Sequence, residues 1–302
     1  LTDLGGLPIH PALAIDTQQR LLLTWVNEST GDLWFSWANS ERANIPLEWT
    51  KPVVIPSPSD VNDSPSMVVD ASGRIVVAYA VAINENRGIY VIQSTDLGVT
   101  WSSPQLAFDA VEAAWDRIDQ PKLTFTEDGV LHLLFSQYPA RAQEDTGTLY
   151  YSQSTNGGMT WTAPDEVTPN PVKWSYIVSV PGQGLHRFWQ EETRSVASTY
   201  HQISTDSGIT WNASVLVSSV DTLSSVPSIA PDWMGNIHLL QTSIDELEYF
   251  HEWLWTNGRW QLVETKAIAI PKQNSISTVH ANVTANGKLY AIFQSELRNE
   301  LD

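Results

Sequence analysis

The sequence predicts an all-β protein, a six-bladed β-propeller whose blades are four-stranded antiparallel sheets. Two repeated patterns in its 302 residues carry this prediction. The first is an eight-residue segment, S-T-[DN]-x-G-x-T-W, which begins at Ser94, Ser154 and Ser204, at intervals of 60 and 50 residues. The second is an apolar strand, a glycine turn and another apolar strand, which recurs along the whole chain. Repeats of this period are typical of stacked or radially arranged units.

The apolar repeat sets the number of units at six. Its start points lie 52 to 56 residues apart, at Pro11, Pro65, Pro121, Ser175, Pro227 and Ala281. Each unit continues with a polar loop, a third strand, a turn and a fourth strand. The sixth unit is short, since little chain follows Phe293. We expect a single domain over 1–302, in which either residues 1–8 complete the sixth blade or the natural protein continues past Asp302.

The eight-residue segment predicts a turn followed by a strand. The Asp or Asn side chain accepts backbone N–H groups, and the glycine two residues later takes a positive φ. The Trp that ends the segment is large enough to fill a gap between neighbouring units. We expect structural roles for the acidic or amide residue and the Trp of each copy, which are Asp96, Trp101, Asn156, Trp161, Asp206 and Trp211.

This segment resembles the Asp-box, or BNR repeat, of the sialidase-like β-propellers, and the Asn156 copy is a mild variant. In that family the box lies between the third and fourth strands of a blade, on the face away from the active site. The resemblance covers the whole chain as a fold but not the catalytic motif. Catalytic sialidases carry an Arg two residues before the first-blade Pro, where this chain has Ile9. The family's nucleophilic Tyr is also missing, since Val279-His280-Ala281 occupies that region.

The residues two positions before the start points are the first candidates for chemistry. They include Asp63, Asp119 and Lys173 on successive blades. Two carboxylates flanking a cleft suit the acid and base of glycoside cleavage, or they bind a hard cation such as calcium. The alternative is that they cap strand ends. His10 and His280, one position before the start points of adjacent blades, either form a proton-transferring pair or face into the blades.

Aromatic and basic residues between blades are candidates for ligand binding. Trp115 and Trp174 are predicted in loops between blades, where an indole can stack on a sugar ring. Arg117 lies beside Trp115 in the sequence and suits an acidic substituent. Aromatic residues at the ends of second strands are better explained by packing.

Charge and composition limit the partners. A net charge of −18 makes nucleic acid and anionic membrane surfaces poor partners. The chain has no cysteine, which excludes disulfides and thiol catalysis, and it shows neither a transmembrane segment nor a signal peptide. We expect an extracellular, cell-surface or periplasmic protein that binds a glycan or protein, as part of a larger protein or alone. Two functions remain open: a non-catalytic recognition module, or an exo-acting glycoside hydrolase that uses Asp63 and Asp119.

Overall fold

The computed structural model describes residues 6–139, 146–193, 195–221, 225–244, 248–268, 274–284 and 287–297. The described chain is all-β, as predicted, apart from two short 3₁₀ helices at Ser40–Arg42 and Pro46–Glu48. Its strands form six sheets that follow one another along the chain, and every paired strand is antiparallel to its neighbour. Among the residues described, no helix combines the length and apolar character that crossing a bilayer requires.

The chain divides into two compact units, the first ending at Asn170 and the second beginning at Pro171. The first unit contains three four-stranded sheets. Their strands are β1 Pro8–Ile15, β2 Arg20–Asn27, β3 Leu33–Asn39 and β4 Val53–Ile55; β5 Asn62–Val69, β6 Ile75–Val81, β7 Gly88–Ser94 and β8 Gln105–Asp109; and β9 Arg117–Phe125, β10 Leu131–Tyr138, β11 Thr148–Ser154 and β12 Asp165–Glu166.

The second unit contains two four-stranded sheets and, within the described ranges, one sheet of two strands. Their strands are β13 Val172–Val180, β14 Gly184–Glu192, β15 Val196–Ser204 and β16 Val215–Asp221; β17 Ser228–Pro231, β18 Ile237–Ile244, β19 Glu248–Thr256 and β20 Arg259–Ile268; and β21 Asn274–Val283 and β22 Leu289–Leu297. The prediction that residues 1–8 complete the last sheet falls largely on residues 1–5, outside the described ranges. Pro8 itself pairs with Asn27 in the first sheet.

Burial on both faces explains why the second strands are continuous apolar runs. Within β6, Val77 and Tyr79 belong to a cluster with residues of the first sheet, whereas Val76 and Ala78 belong to a cluster with residues of the third. Successive side chains of a strand point to opposite faces, so a strand between two packed neighbours needs apolar residues at every position. In the second unit, β18 packs in the same way between the sheets before and after it.

The first strands begin earlier than the sequence predicts. Strand β5 begins at Asn62 rather than Pro65, and β9 begins at Arg117 rather than Pro121. Each strand passes through its proline at a β-bulge, where the pairing register shifts by one residue. At a bulge the missing N–H of proline is tolerated, because the extra residue is unpaired anyway. Asp63 and Asp119 therefore lie inside strands and not in the loops before them.

The predicted mechanism of the eight-residue turns is confirmed. In the first copy, Asp96 Oδ1 accepts the Thr100 N–H at 2.8 Å, and Ser94 Oγ accepts the Gly98 N–H at 2.8 Å. Gly98 has a φ of 76°, and a Cβ there would also overlap the ring of Phe35. Trp101 packs edge-on against Phe35 of the neighbouring sheet, with ring centroids 5.3 Å apart. This turn therefore fastens the second sheet to the first.

The other two copies form the same turn. Asp206 Oδ1 accepts the Thr210 N–H at 2.9 Å, and Asn156 Oδ1 accepts the Thr160 N–H at 3.0 Å. At the threonine hydroxyl the Asn copy differs, since Asn156 Nδ2 donates to Thr160 Oγ1 at 2.8 Å, where Asp206 Oδ2 accepts from the Thr210 hydroxyl. The threonine hydroxyl can play either part, which is why Asn is tolerated there.

Candidate functional site

The first strands of the three sheets in the first unit lie side by side, β1 next to β5 and β5 next to β9. A hydrogen bond from the Leu123 N–H to Ser66 Oγ, 2.9 Å long, ties β9 to β5. All three strands carry the bulge at the same place, immediately before proline. Side chains at the three bulges are therefore brought to one end of adjacent strands.

The residue at each bulge has left-handed backbone geometry without being glycine. His10, Ser64 and Gln120 have φ values of 49°, 45° and 56°. Such geometry costs roughly 1–3 kcal/mol per residue and occurs preferentially at functional sites. We call the group formed by His10, Asp63, Ser64, Arg117, Asp119, Gln120 and Lys122 the bulge cluster.

In the second and third sheets, the bulge cluster lies at the end opposite to the eight-residue turn. In the second sheet, Asp63 pairs with Ala80, whereas Ser94, at the start of the turn, pairs with Ile75 at the other end of β6. In the third sheet, Asp119 and Ser154 are separated along β10 in the same way. This agrees with the expectation that the turn and the candidate site face different ends.

Asp63 joins the bulge of β1 to the bulge of β5. Its Oδ1 accepts the Ser64 N–H at 2.7 Å and the Ser64 hydroxyl at 3.1 Å, and it contacts Nδ1 of His10 from the neighbouring strand. The side chains of His10 and Asp63 are 49% and 27% exposed, so both are accessible to a ligand. A histidine and an aspartate 53 positions apart are joined here because the bulges of β1 and β5 are adjacent.

Asp119 repeats the local geometry of Asp63 in a more buried place. Its Oδ1 accepts the Gln120 N–H at 2.7 Å, and its Oδ2 accepts from Nη2 of Arg117 at 3.2 Å. The Asp119 side chain is 6% exposed. The guanidinium of Arg117 also lies over the Tyr138 ring, 4.8 Å from its centroid, which holds Arg117 by a cation–π contact.

Surroundings displace the pKa values of the two carboxyls in opposite directions. Burial acts to raise the pKa of Asp63, but the hydrogen bond and charge of His10 outweigh it, so that this pKa is lowered. Burial, followed by the charge of Asp63, raises the pKa of Asp119. The hydrogen bond to Asp63 raises the pKa of His10. Two carboxyls of opposite tendency are what acid–base chemistry requires.

Lys122 completes the cluster. It lies on β9 three residues after Asp119, is half-buried, and has no hydrogen bond or ion pair within the described part of the chain. Burial lowers the pKa of Lys122, and the charge of Asp119 acts in the opposite direction. The charge of Lys122 also acts on His10, which places the two basic groups in the same electrostatic environment.

The two tryptophans predicted to bind a sugar, Trp115 and Trp174, lie outside the bulge cluster. Trp115 lies in a loop, as predicted, but its ring packs against Phe108 and Tyr150 with centroids 4.4 and 4.7 Å apart. The loop prediction for Trp174 is wrong: it lies within β13, stacked on Tyr176. Both indole rings are thus engaged in packing against other aromatic rings beside a sheet.

Lys173 and His280 belong to the second unit. Lys173 lies at the bulge of β13 and forms an ion pair with Glu192, with Nζ and Oε2 2.9 Å apart. His280 is exposed on β21, opposite Ile292. Ile9, at the position of the missing family Arg, is half-buried against the core between the first two sheets.

Ser64, Gln120 and Lys122 were not predicted from the sequence. For Ser64 and Gln120 the available signal was a polar residue directly before a strand proline, because a bulge there projects that residue from the strand. Lys122 follows its proline and carries no such signal. Across the residues described, no three His, Asp or Glu side chains are arranged to hold a metal ion. The calcium expectation stays a prediction.

No protein-family model matches the chain, and no curated protein matches its sequence. Solved structures do share its fold. A protein of unknown function from Dyadobacter fermentans DSM 18053 has a TM-score of 0.62 at 13% identity, over 96% of this chain and 95% of that one. An ulvan lyase of family PL25, bound to -[GlcA(1-4)Rha3S]-, has a TM-score of 0.58 at 11% identity, over 88% and 72%.

The leech intramolecular trans-sialidase, complexed with 2,7-anhydro-Neu5Ac, has a TM-score of 0.64 at 10% identity, over 95% of this chain and 65% of that one. At such identities the likeness is one of fold. The chain is thus similar to sialidase-like and polysaccharide lyase propellers.

Proposed function

We propose that this protein recognises carbohydrate through the bulge cluster, on a sialidase-like six-bladed propeller. The observation that carries the proposal is the strained bulge repeated on three adjacent strands, which links His10, Asp63, Ser64 and Asp119. A left-handed non-glycine residue on each of three strands is costly if the strands serve only to pack. A binding site supplies a reason for that cost.

The succession of sheets supports the propeller. Each sheet of the first unit packs on the next, and the first strands β1, β5 and β9 are neighbours, as the innermost strands of consecutive blades would be. Six sheets in chain order then make six blades. The sixth blade requires strands in addition to β21 and β22.

Carbohydrate is the ligand class that best fits the cluster and the fold together. The accessible groups of the cluster are hydrogen-bonding side chains held in fixed positions by the bulges, which suits a ligand rich in hydroxyl groups. Two of the proteins with a similar fold were solved with sugars bound, the ulvan lyase and the leech enzyme.

A glycan array followed by isothermal titration of the strongest glycan tests the proposal. Wild-type protein should bind, and His10→Ala should weaken binding by about tenfold or more, since a charge-assisted contact is lost. His280→Ala, which removes an exposed histidine of the second unit, is the matched control and should bind like wild type. An array without any bound glycan, or equal binding by both variants, would contradict the proposal.

Catalysis is the second candidate, and the opposed pKa displacements of Asp63 and Asp119 favour it. In this reading protonated Asp119 is the general acid that protonates the leaving oxygen, and ionised Asp63 is the general base. Incubation of wild-type protein with glycoside reporters and acidic polysaccharides should release product, and Asp119→Asn should release at least ~100-fold less. Binding without any product leaves the recognition module as the function.

A further inference from the structure

A serine and a histidine are hydrogen-bonded in the second unit, on strands that contribute nothing to the bulge cluster. Ser243 Oγ lies 2.6 Å from Nε2 of His251, and Nδ1 of the same ring lies 3.0 Å from Oγ1 of Thr265. A hydroxyl bonded to a base, with the base oriented by a third group, is the arrangement that activates a nucleophile. We call these three side chains the hydroxyl–imidazole row. The inference goes beyond the proposed function, since it uses none of the residues of that site.

The register of the sheet brings the row together. Ser243 lies on β18, His251 on β19 and Thr265 on β20. His251 pairs with Thr265 on one side and with Gln241, two residues before Ser243, on the other. Side chains alternate between the faces of a sheet, so the three members of the row project from the same face. Backbone pairing therefore holds the row in place across three neighbouring strands.

The surroundings of His132 show how a histidine with a purely structural role differs from the row. Its Nε2 lies 3.0 Å from Thr126 Oγ1, and its Nδ1 lies 2.7 Å from the Tyr151 hydroxyl. His132 is fully buried, so these bonds satisfy polar groups that water cannot reach. Ser243 and His251 are only half-buried. Water can satisfy such groups, so their hydrogen bonds add little net stability and the fold does not require them.

The protonation of His251 suits a general base. Burial lowers the pKa of His251, so its ring is neutral at neutral pH. In the tautomer with the proton on Nδ1, the ring donates to Thr265 Oγ1, and Nε2 accepts the Ser243 hydroxyl. The neutral imidazole can then take the serine proton while the serine oxygen attacks a substrate.

The side chains next to His251 on this face are aromatic and uncharged. The rings of Tyr249 and Trp253 have centroids 6.4 and 5.3 Å from that of His251. Glu252 and Glu264 each lie one position away from a member of the row, so they project from the opposite face. Apolar rings beside a nucleophile fit an uncharged acyl group rather than an anionic one.

We propose that Ser243 is the nucleophile of a second site, which hydrolyses esters of short uncharged acids. In the first step Ser243 Oγ bonds to the carbonyl carbon, its proton passes to His251 Nε2, and the alcohol leaves with that proton. In the second step His251 takes a proton from water, and the water oxygen bonds to the acyl carbon. Ser243 then leaves with the proton held by His251, and the free acid is released. Thr265 is a positioning residue, since it holds the ring of His251.

Reaction with a fluorophosphonate, located by mass spectrometry, tests the nucleophile. The Ser243 oxygen bonds to phosphorus, fluoride leaves, and His251 takes the proton. Wild-type protein should be labelled at Ser243, and Ser243→Ala should not be labelled. His251→Gln can still accept the serine hydroxyl but takes up no proton, so labelling should be at least ~100-fold slower. Thr265→Val should slow labelling by about tenfold, roughly the equivalent of one hydrogen bond, and Thr265→Ser should restore it.

Ser198→Ala is the matched control for the labelling. The Ser198 hydroxyl is paired with that of Ser219 at 3.0 Å and not with a histidine, so this variant should be labelled like wild type. Thermal unfolding of every variant confirms that each is folded before its rate is compared.

Hydrolysis of para-nitrophenyl acetate tests the ester activity. Wild-type protein should release para-nitrophenol faster than Ser243→Ala does. A wild-type protein that is not labelled at Ser243, equal labelling rates in wild type and a folded His251→Gln, or equal hydrolysis by wild type and Ser243→Ala would each overturn the proposal. None of these outcomes bears on carbohydrate binding at the bulge cluster, which is measured with other probes and other variants.

Discussion

Asp63 and Asp119 show how neighbours, and not residue type, decide the chemistry of a side chain. Asp63 lies at the bulge of β5 and Asp119 at the equivalent bulge of β9, and each accepts the N–H of the following residue at 2.7 Å. Asp63 has His10 beside it, whereas Asp119 is 6% exposed and faces the charge of Asp63. One carboxyl therefore stays ionised at lower pH, and the other takes up a proton at higher pH.

This difference can be measured by following the carboxyl carbons of both residues by NMR during a pH titration. We expect Asp63 to titrate below 3.8 and Asp119 above it. His10→Ala should raise the pKa of Asp63, because the donor that stabilises its ionised form is removed. An Asp63 titration that is unchanged in His10→Ala would show that the ion pair does not set the pKa of Asp63.

The eight-residue turn is the element whose structure was predictable from local sequence. Its serine, aspartate, glycine and threonine interact within seven residues of one another, so their spacing alone specifies the hydrogen bonds. No short sequence pattern of this kind specifies the bulge cluster. The contact of His10 with Asp63 requires the register of two sheets. The environment of Lys122 likewise depends on groups from more than one strand, Asp119 and His10 among them. Periodicity reports which face a strand buries, not which charges meet at its end.

The buried serine of the turn provides a test at this scale. Ser94 is 2% exposed, and its Oγ accepts the Gly98 N–H and donates to Asp96 at 2.9 Å. Ser94→Ala leaves the buried N–H without a partner and should lower the free energy of unfolding by about 1–3 kcal/mol. Thr95→Ala, at the adjacent exposed residue, should change it by less than about 0.5 kcal/mol. Urea unfolding followed by Trp fluorescence measures both, and equal effects would contradict the assigned role of Ser94.

Across the whole molecule, buried histidines in both units are held in the neutral state. Burial lowers the pKa of His132 and of His186 to about 4 and that of His201 to about 2. The indole N–H of Trp260 donates to Nδ1 of His201, which therefore carries its proton on Nε2 and donates to Nδ1 of His186 at 2.9 Å. Protonation of either ring would break this chain of bonds.

The protein should consequently lose stability at pH values well above those at which carboxylates titrate. Below pH 6.5 an unfolded histidine binds a proton that its buried native counterpart does not, so the free energy of unfolding falls as the pH falls from 6.5 towards 4. Each such histidine contributes up to about 1.4 kcal/mol per pH unit. His10 acts differently, because its raised pKa gives stability that is present below 6.5 and lost as the pH rises through the folded value. Urea midpoints at pH 7.5, 5.5 and 4.5 should therefore decrease in order.

His132→Gln identifies the origin of that decrease. Glutamine can still bond to Thr126 and Tyr151, the partners of His132 at 3.0 and 2.7 Å, but it binds no proton. The pH dependence between 6.5 and 4.5 should therefore become shallower in this variant, while His280→Gln, at an exposed position, should retain the wild-type slope. Because burial of neutral imidazole is the cause, the effect should persist at high salt, which screens surface charges and leaves desolvation unchanged. A slope that disappears with salt would instead indicate repulsion among the surface carboxylates of this acidic chain.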